Sequence, residues 1–223
     1  MGGLEDQRHV IGVEFADSLR TILALGAHAD DIEIGAGGTL LRLAEANPDV
    51  RLQFLIVAST PERSAEATAS AEALLGDRVE VSLGGFDDGS LPYRDPAGVK
   101  DWLRSLIVAE DVDLVLSPHV NDRHQDHRFV ADLAGQLFRD HLILGYEIVK
   151  YDGDEFAPAV YVPLSAEQAS GKLDHLDRHF ATQQGKPWYE RRVLEGTMRL
   201  RGVECRAESG LAEAFTANRV VVR

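Results

Sequence analysis

Cysteine is nearly absent from this chain of 223 residues, because Cys205 is the only one. A single cysteine excludes an internal disulfide, and it also excludes a zinc site built from several cysteines. Proteins that depend on disulfides belong to oxidising compartments, and this sequence carries no such framework. We therefore expect a cytoplasmic protein.

Long apolar runs are also missing from the sequence. No stretch approaches the roughly 18 apolar residues of a membrane-spanning helix. Residues 1–17 have neither the basic start nor the apolar core that is typical of a signal peptide. We therefore expect no membrane insertion.

Basic residues are scarce, with 23 Lys and Arg against 37 Asp and Glu, and the formal net charge is -14. This balance disfavours nucleic acid and anionic membranes as partners, since both carry negative charge. Apolar residues make up 44% of the chain and charged residues 27%, which is ordinary for a globular protein. No internal repeat or linker interrupts the chain, so we predict one domain over residues 1–223.

The sequence alternates between strand patterns and helical patterns. Strands are predicted at 10–15, 21–27, 52–58, 79–83, 113–116, 142–150, 159–162 and 219–222, and a glycine-rich loop at 84–89. Helices are predicted at 37–46, 62–75, 165–180 and 189–200, with two more over 99–107 and 130–137. Repeated strand–helix units are typical of a parallel sheet with right-handed crossovers. We predict an α/β fold, a Rossmann-like three-layer sandwich with a mostly parallel sheet and an active site at the carboxyl ends of the strands.

A polar cluster follows the strand predicted at 21–27, and it contains His28, Asp30, Asp31 and Glu33. Imidazole nitrogens and carboxylate oxygens are ligands of zinc-type ions, which makes His28 and Asp31 candidate ligands. Neighbouring side chains in an extended or turning segment point to different sides. One aspartate can therefore bind a metal while the other takes a proton from water. The alternative interpretation is a turn followed by a helix N-cap.

A second polar cluster follows the strand predicted at 113–116, and it contains His124, Asp126 and His127. The carboxyl ends of parallel strands face the same way, so the two clusters can converge on one crevice. One of the two histidines completes a three-ligand set and leaves a position open for water, as catalytic sites do. The other histidine can donate to an oxyanion while a carboxylate such as Asp126 fixes its tautomer. The alternative is a polar helix start with solvent-facing histidines.

Both clusters resemble the motifs of a known family. The segment His28-Ala29-Asp30-Asp31-Ile32-Glu33, with Gly35 and Gly37-Gly38-Thr39, resembles the His-Pro-Asp-Asp-x-Glu-x-Gly-x-Gly-Gly-Thr signature of the PIG-L (LmbE-like) N-acetylglucosaminyl deacetylases. The segment His124-Gln125-Asp126-His127-Arg128 resembles that family's His-x-Asp-His-Arg motif. Ala29 stands where the family usually has Pro, which removes a turn restraint but no ligand or base.

The resemblance implies a role for each matching residue. It implies a metal, usually zinc, with Fe2+ or Co2+ as other divalent candidates, and the implied ligands are His28, Asp31 and His127. Asp30 would then be the general base that later hands its proton to the leaving amine. His124 would stabilise the oxyanion, and Asp126 would orient His124.

Three more residues resemble the substrate side of family members. Arg63 lies in an Arg-x-x-Glu segment with Glu66, Asp88 lies in a Phe-x-Asp-Gly loop, and Gln183 lies in a later loop. For each there is a structural alternative. Arg63 is then part of a solvated helix face, Asp88 a turn residue and Gln183 a polar loop residue.

The resemblance implies a metal-dependent hydrolase that removes an N-acetyl or N-acyl group from an amino sugar or its conjugate and releases acetate and a free amine. Its partner is then a small N-acylated amino sugar, and the resemblance leaves room for a homo-oligomer. Two alternatives stay open, an amidase for a larger N-acyl or thiol conjugate and a sugar-binding homologue without turnover. A nucleotide-binding protein is disfavoured, since Gly35-Ala36-Gly37-Gly38 does not fit the G-x-G-x-x-G pattern.

Overall fold

The computed structural model describes residues 12, 19–108 and 111–220. Within these residues, seven strands form one sheet: β1 (Thr21–Gly26), β2 (Arg51–Ala58), β3 (Val79–Phe86), β4 (Leu114–Pro118), β5 (Ile143–Tyr146), β6 (Val160–Pro163) and β7 (Ala212–Ala217). Six α-helices of the same part of the chain accompany them: α1 (Asp31–Ala46), α2 (Pro61–Leu75), α3 (Pro96–Leu106), α4 (Gln125–Leu137), α5 (Ala166–His179) and α6 (Arg191–Glu204). The strand predicted at 10–15 lies outside the described residues.

The sheet order is β3-β2-β1-β4-β5-β7-β6. Strands β1 to β5 pair in parallel, whereas β7 is antiparallel to both of its neighbours. The predicted α/β fold with a mostly parallel sheet is thereby confirmed. After β1, the chain forms β2 and β3, which extend the sheet from β1 toward one edge. Strand β4 then pairs with the other side of β1 and begins the second half of the sheet. The β1–β4 boundary is thus a topological switch point, where ligands of open α/β sheets bind.

The core lies on both faces of the sheet, so the protein has three layers. Alternate residues of β1 point to opposite faces, as a strand requires. Ile22 and Ala24 pack in one apolar cluster together with α1, α2, α5 and α6. Leu23 and Leu25 pack in the other with α3 and α4. Because both faces of β1 are covered, its sequence is apolar throughout. No helix within the described residues is long and apolar enough to cross a membrane.

Helix α1 begins at Asp31, six residues before the predicted start at 37. Glycine disfavours helix interiors, and this is why the sequence predicts a later start. Tertiary packing overrides that preference. A Cβ on Gly35 would lie 2.1 Å from the Tyr146 ring, and one on Gly38 would lie 2.5 Å from Leu164. The glycines bring α1 close to β5 and to the segment after β6, and they place Asp31 in the first helical turn.

Strand β3 continues to Phe86, three residues beyond its predicted end, so the predicted loop at 84–89 is partly strand. Its register with β2 shifts between Ile56 and Ala58. Gly85 has a φ of 66°, a left-handed conformation that favours glycine. A Cβ on Gly84 would lie 2.7 Å from the Val57 carbonyl oxygen. The glycines therefore allow the strand to end irregularly, and the loop that follows is directed toward β1.

Within the described residues the last strand is β7 at Ala212–Ala217, whereas the closing strand is predicted at 219–222. Three alanines and a glutamate give β7 little strand propensity, whereas Val220 to Val222 is a strongly β-prone run. What places β7 in the sheet is its pairing with both β5 and β6. Residues 219 and 220 are not part of a strand, and 221–223 lie outside the described residues. Strand β5 is also shorter than the predicted 142–150.

Candidate metal centre and active site

The two polar clusters meet at the carboxyl ends of β1 and β4. His28 follows β1, and His127 lies in the first turn of α4. The Nδ1 atom of His28 is 3.1 Å from the Nε2 atom of His127. The Asp31 carboxylate completes this group, with one oxygen 3.5 Å from His28 Nδ1 and the other 3.5 Å from His127 Nε2. All three side chains are buried.

These spacings fit a metal centre. Around a tetrahedral zinc ion with bonds of about 2.0–2.1 Å, neighbouring ligand atoms are about 3.3 Å apart. The separations of 3.1 and 3.5 Å lie on either side of that value, and each of the 3.5 Å contacts is made by a different Asp31 oxygen. Two imidazoles and one carboxylate suit zinc and other divalent transition metals. The ring nitrogens of His28, His124 and His127 also lie within 4.8 Å of one another, so His124 borders the same centre.

Carboxylates fix the tautomers of His28 and His127, the two candidate ligand histidines. The Nδ1 atom of His127 is 2.9 Å from an oxygen of Asp122. The Nε2 atom of His28 is 3.0 Å from Asp88 and 3.3 Å from Asp126. Each ring therefore donates its outer N–H to a carboxylate and turns its other nitrogen to the centre. This arrangement is characteristic of metal-binding histidines.

The electrostatics of the centre favour a cation. Burial opposes the ionisation of Asp31, yet the positive charges of His127 and His28 hold its pKa well below the usual range. Burial lowers the pKa of His127, but Asp31 and Asp122 outweigh it and raise the value to about 9. The pKa of His28 is raised as well, so the metal-free site favours the protonated form of both histidines. A metal binds only deprotonated imidazole, so its affinity rises with pH.

Asp30 lies beside the centre without joining it. Its carboxylate is buried and accepts a hydrogen bond of 2.5 Å from the Arg63 guanidinium. Burial raises the pKa of Asp30, and the charge of Arg63 limits that rise. The side chain does not cap α1, although Asp30 occupies the N-cap position. The Asp30 carboxylate thus neither caps the helix nor bonds the two histidines, and its side-chain partner is Arg63.

His124 is the N-cap residue of α4, and its ring Nδ1 accepts the Asp126 backbone N–H at 3.3 Å. The neutral ring must therefore carry its proton on Nε2. Burial lowers the pKa of His124, and the neighbouring His127 and His28 lower it further. The ring stacks on His127 with 4.5 Å between centroids. His124 is thus a neutral N–H donor next to the centre.

The Asp126 carboxylate contacts His28 and a loop. Its two oxygens accept the backbone N–H groups of Gly89 at 2.7 Å and Leu91 at 3.2 Å. This ties the β3–α3 connection, which carries Asp88, to the floor of the site. Only the backbone of Asp126 is hydrogen-bonded to the His124 ring. The predicted orienting role toward His124 therefore runs through the main chain in this geometry.

The structure brings two of the three predicted substrate-side residues into the cleft. Arg63 bridges Asp30 and Asp88, with 3.4 Å to the latter. Asp88 is half-exposed, and its hydrogen bond from His28 lowers its pKa to about 2. Gln183 is buried, and its side chain bonds Thr182 and Lys186. Thr182 in turn bonds Glu66 on α2, the helix that also carries Arg63, so Gln183 is linked to that helix through Thr182.

Several residues of the site escape sequence-based reasoning. Asp122 lies within the second polar cluster, so its position in the sequence could have identified it as a candidate site residue. Lys150, which bonds Asp122, lies 28 residues later and carries no local signal. The sequence places Glu33 in the first cluster without a role, and in the structure it is buried and one oxygen accepts the Ser70 hydroxyl at 2.5 Å. Its other oxygen has no partner among the described residues, and burial raises its pKa to about 8.

Comparison with known proteins places this geometry in a family. The sequence profile of the family described as PIG-L, GlcNAc-PI de-N-acetylase, matches residues 23–138, which is just over half of the chain. The chain belongs to the PIG-L family. The matched segment runs from β1 through α4 and includes both polar clusters. The resemblance seen in the sequence is confirmed.

Individual relatives of this PIG-L family protein cover most of its length. YaiS of Escherichia coli K12, described as an uncharacterized deacetylase, is 29% identical over 172 residues, which span 74% of this chain and 92% of the relative. The N,N'-diacetylchitobiose deacetylase of Pyrococcus horikoshii matches with a TM-score of 0.69 at 18% identity, over 89% of this chain and 84% of that one.

The same fold also carries another reaction. GalB of Pseudomonas putida KT2440, a 4-carboxy-2-hydroxymuconate hydratase, matches with a TM-score of 0.71 at 16% identity, over 92% of this chain and 98% of that one. At such identities the likeness establishes the fold alone. The reaction has to be argued from the side chains at the site.

Proposed function

We propose that this protein is a metal-dependent hydrolase that removes an N-acetyl or N-acyl group from an amino sugar or its conjugate. The observation that carries the proposal is that the buried Asp30 carboxylate lies beside His28, Asp31 and His127, whose side chains are close enough together to hold one metal ion. A binding protein needs the ligand set but has no use for the additional carboxylate. Family membership and the deacetylases among the relatives support the same reaction class.

In this proposal His28, Asp31 and His127 hold a divalent metal, with zinc as the first candidate and Fe2+ or Co2+ as others. When bound, the metal supplies Lewis-acid chemistry, polarising the acyl carbonyl and lowering the pKa of water. Asp122 and Asp126 hold the two imidazole rings in place from behind. Mutation of such outer partners typically lowers metal affinity or activity by about 10- to 100-fold.

Asp30 acts as general base and then as general acid. It takes a proton from the water molecule whose oxygen attacks the acyl carbon. It then returns this proton to the nitrogen as the carbon–nitrogen bond breaks, and acetate and a free amine leave. Burial raises the pKa of Asp30 toward the range in which a carboxylate both accepts and releases a proton. Arg63 keeps the carboxylate oriented.

His124 stabilises the oxyanion that develops on the acyl oxygen. Because its Nδ1 accepts a backbone N–H, its proton resides on Nε2 and is available for donation. A neutral donor that is held by the helix start needs no reorganisation during the reaction, which is the basis of oxyanion stabilisation. Arg63 and Asp88 lie at the mouth of the cleft and bind polar groups of the substrate, and Gln183 is linked through Thr182 to the helix that carries Arg63.

The test is acetate release from a panel of N-acetylated amino sugars by the purified protein, before and after chelation and after zinc is restored. We expect acetate release that chelation abolishes and zinc restores. The substrate that is hydrolysed best will indicate the substrate class. A second panel, of larger N-acyl conjugates, distinguishes the deacetylase from the alternative amidase. If metal-loaded protein releases no carboxylic acid from either panel, the proposed hydrolase function is wrong.

A further inference from the structure

A group of polar side chains lies behind His127, away from the proposed metal. It consists of His119, Asp122, Lys150 and Asp154, and we call it the rear cluster. His119 and Asp122 follow β4, and Lys150 and Asp154 follow β5. All four side chains are at most 9% exposed. Burying so many ionisable groups is costly unless they satisfy one another.

Lys150 lies at the middle of the rear cluster. Its ammonium donates to Asp122 at 2.9 Å, to the Ile148 carbonyl at 3.1 Å and to the Asp154 carboxylate. An ammonium group has three N–H donors, so every one of them is used. Asp154 also accepts from the Arg123 backbone N–H and contacts the His119 ring at 3.2 Å. The rear cluster thus joins the segment after β5 to the β4–α4 loop.

The ammonium also explains why the rear cluster is not a second metal centre. Ligand atoms of His119, Asp122 and Asp154 lie within 4.8 Å of one another, which is close enough for a metal. The cation among them is the ammonium of Lys150, which bonds both carboxylates. A second metal would have to displace a lysine that has all its hydrogen bonds.

Asp122 connects Lys150 to the active site. The oxygen that accepts from Lys150 also accepts from His127 Nδ1 at 2.9 Å. Its other oxygen accepts the His124 backbone N–H at 2.7 Å. One carboxylate therefore fixes the ring of a proposed metal ligand and the main chain of the proposed oxyanion donor. The orientation of this carboxylate depends in part on Lys150, which is the one lysine or arginine side chain that bonds it among the described residues.

We propose that Lys150 is a positioning residue that acts through Asp122, holding the carboxylate where it orients His127 for metal binding. The inference rests on the proposed function, since it concerns the metal centre of His28, Asp31 and His127. Without the ammonium, the Asp122 oxygen that accepts from His127 loses its second donor, and the carboxylate is held less firmly, by the His124 backbone N–H and by His127. Metal affinity then falls even though every ligand is still present.

The test measures the affinity for Zn2+ by competition with a chromophoric chelator and the visible absorption of the Co2+-loaded protein. We expect Lys150→Met to weaken Zn2+ binding about tenfold, the low end of the range for outer-shell partners. The Co2+ spectrum should change as the geometry at His127 relaxes. Lys150→Gln keeps two N–H donors without the charge, so its Zn2+ affinity should lie between those of Lys150→Met and the wild type. This variant replaces Lys150→Met in the test if Lys150→Met does not fold.

Lys172→Met is the matched control. Lys172 is equally buried, and it bonds one carboxylate, Glu213, and one backbone carbonyl, that of Ile34. It lies on α5 and is not hydrogen-bonded to the histidines of the centre. We expect Lys172→Met to lower the unfolding temperature and to leave Zn2+ affinity unchanged. Equal losses of Zn2+ affinity in both variants would mean a general structural effect and would overturn the proposal.

A double-mutant cycle tests the route through Asp122. If Lys150 acts through this carboxylate, Asp122→Asn with Lys150→Met should bind Zn2+ as weakly as Asp122→Asn alone. Additive losses would overturn the proposal. Wild-type affinity in folded Lys150→Met and Lys150→Gln would overturn it while leaving the metal centre intact. If wild-type protein binds no Zn2+ or Co2+, the metal centre itself is wrong and the proposal falls with it.

Discussion

Asp30 and Asp31 are neighbours in the chain, yet the protein shifts their pKa values in opposite directions. Both are buried, but the charges of His127 and His28 hold the pKa of Asp31 low, whereas burial prevails at Asp30 and raises its pKa. Paired carboxylates with divergent environments are typical of sites that divide ligand and base roles. The two pKa values differ because the backbone turn at the start of α1 places the two side chains in different surroundings.

The division of roles predicts different results for two substitutions. Asp30→Asn should keep the metal and lose most of the turnover, by about 100-fold or more, since general base catalysis contributes about that much. Asp31→Asn should lose metal affinity instead. The measurements are metal content by elemental analysis and the rate of acid release. A rate near that of the wild type in metal-loaded Asp30→Asn would show that another group is the base.

Glu33 predicts a pH dependence of stability in the metal-free protein. Burial raises its pKa from the ordinary 4.5 to about 8. Between these values the folded state holds a proton that the unfolded state has lost, so stability decreases as pH rises from about 4.5 to about 8. One proton gives a slope of at most about 1.4 kcal/mol per pH unit. Below pH 4.5 both states are protonated, and the contribution of Glu33 is fully present.

Glu33→Gln keeps the Ser70 hydrogen-bond acceptor and removes the titration. We expect the stability of this variant relative to the wild type to increase with pH across that window, as measured by urea denaturation at pH 5, 6, 7 and 8. Glu72→Gln, at an exposed position of α2, is the control for the removal of one carboxylate. Parallel pH profiles for Glu33→Gln and the wild type would mean that Glu33 is ionised throughout.

At the scale of elements, α1 depends on glycines for contact rather than for flexibility. Gly35 faces the ring of Tyr146, which is fully buried and donates its hydroxyl to the Leu25 carbonyl at 2.5 Å. The ring therefore has little freedom to move. Gly37 is different, because a Cβ there would meet Lys172 at 3.4 Å, an ordinary contact distance.

This difference predicts opposite outcomes for two alanine substitutions in one helix. Gly35→Ala should destabilise the protein by about 1–3 kcal/mol or more through overpacking. Gly37→Ala should be neutral or stabilising by up to about 1 kcal/mol, because alanine is the better helix former. Thermal unfolding of both variants is the measurement. Equal effects would mean that helix propensity, and not the Tyr146 contact, decides the stability at Gly35.

At the scale of the whole molecule, the proposed metal joins the two halves of the sheet, since His28 and Asp31 follow β1 and His127 follows β4. A ligand that binds only the folded state stabilises it, by about 2.7 kcal/mol at 100 times its Kd. For a chain of this size, the unfolding temperature should rise by about 5–10 °C. Calorimetry of chelated and zinc-restored protein measures this shift.

Asp31→Asn is the control for that measurement, and it should lose most of the zinc-dependent shift because it removes a proposed ligand. A full shift in this variant would mean that zinc stabilises the protein from another site. That 1–223 form a single domain stays a prediction, and one cooperative transition in the same scan would support it.

The sequence by itself determined the α/β class and the two halves of the site. Both are local signals, since strand and helix periodicities extend over a few residues and each His–Asp cluster is contiguous. Because parallel strands end at the same edge, local patterns were sufficient to predict that the clusters converge. His28 and His127, 99 residues apart, indeed lie in contact.

Only the tertiary structure decided which residues support the site and where some elements begin. Helix α1 starts at Asp31 because Gly35 fits against Tyr146, and β7 belongs to the sheet because both of its edges are paired. The partnership of Lys150 with Asp122 has no trace in local spacing. Such features arise from contacts between distant segments, and their energies outweigh the local propensities on which sequence patterns depend.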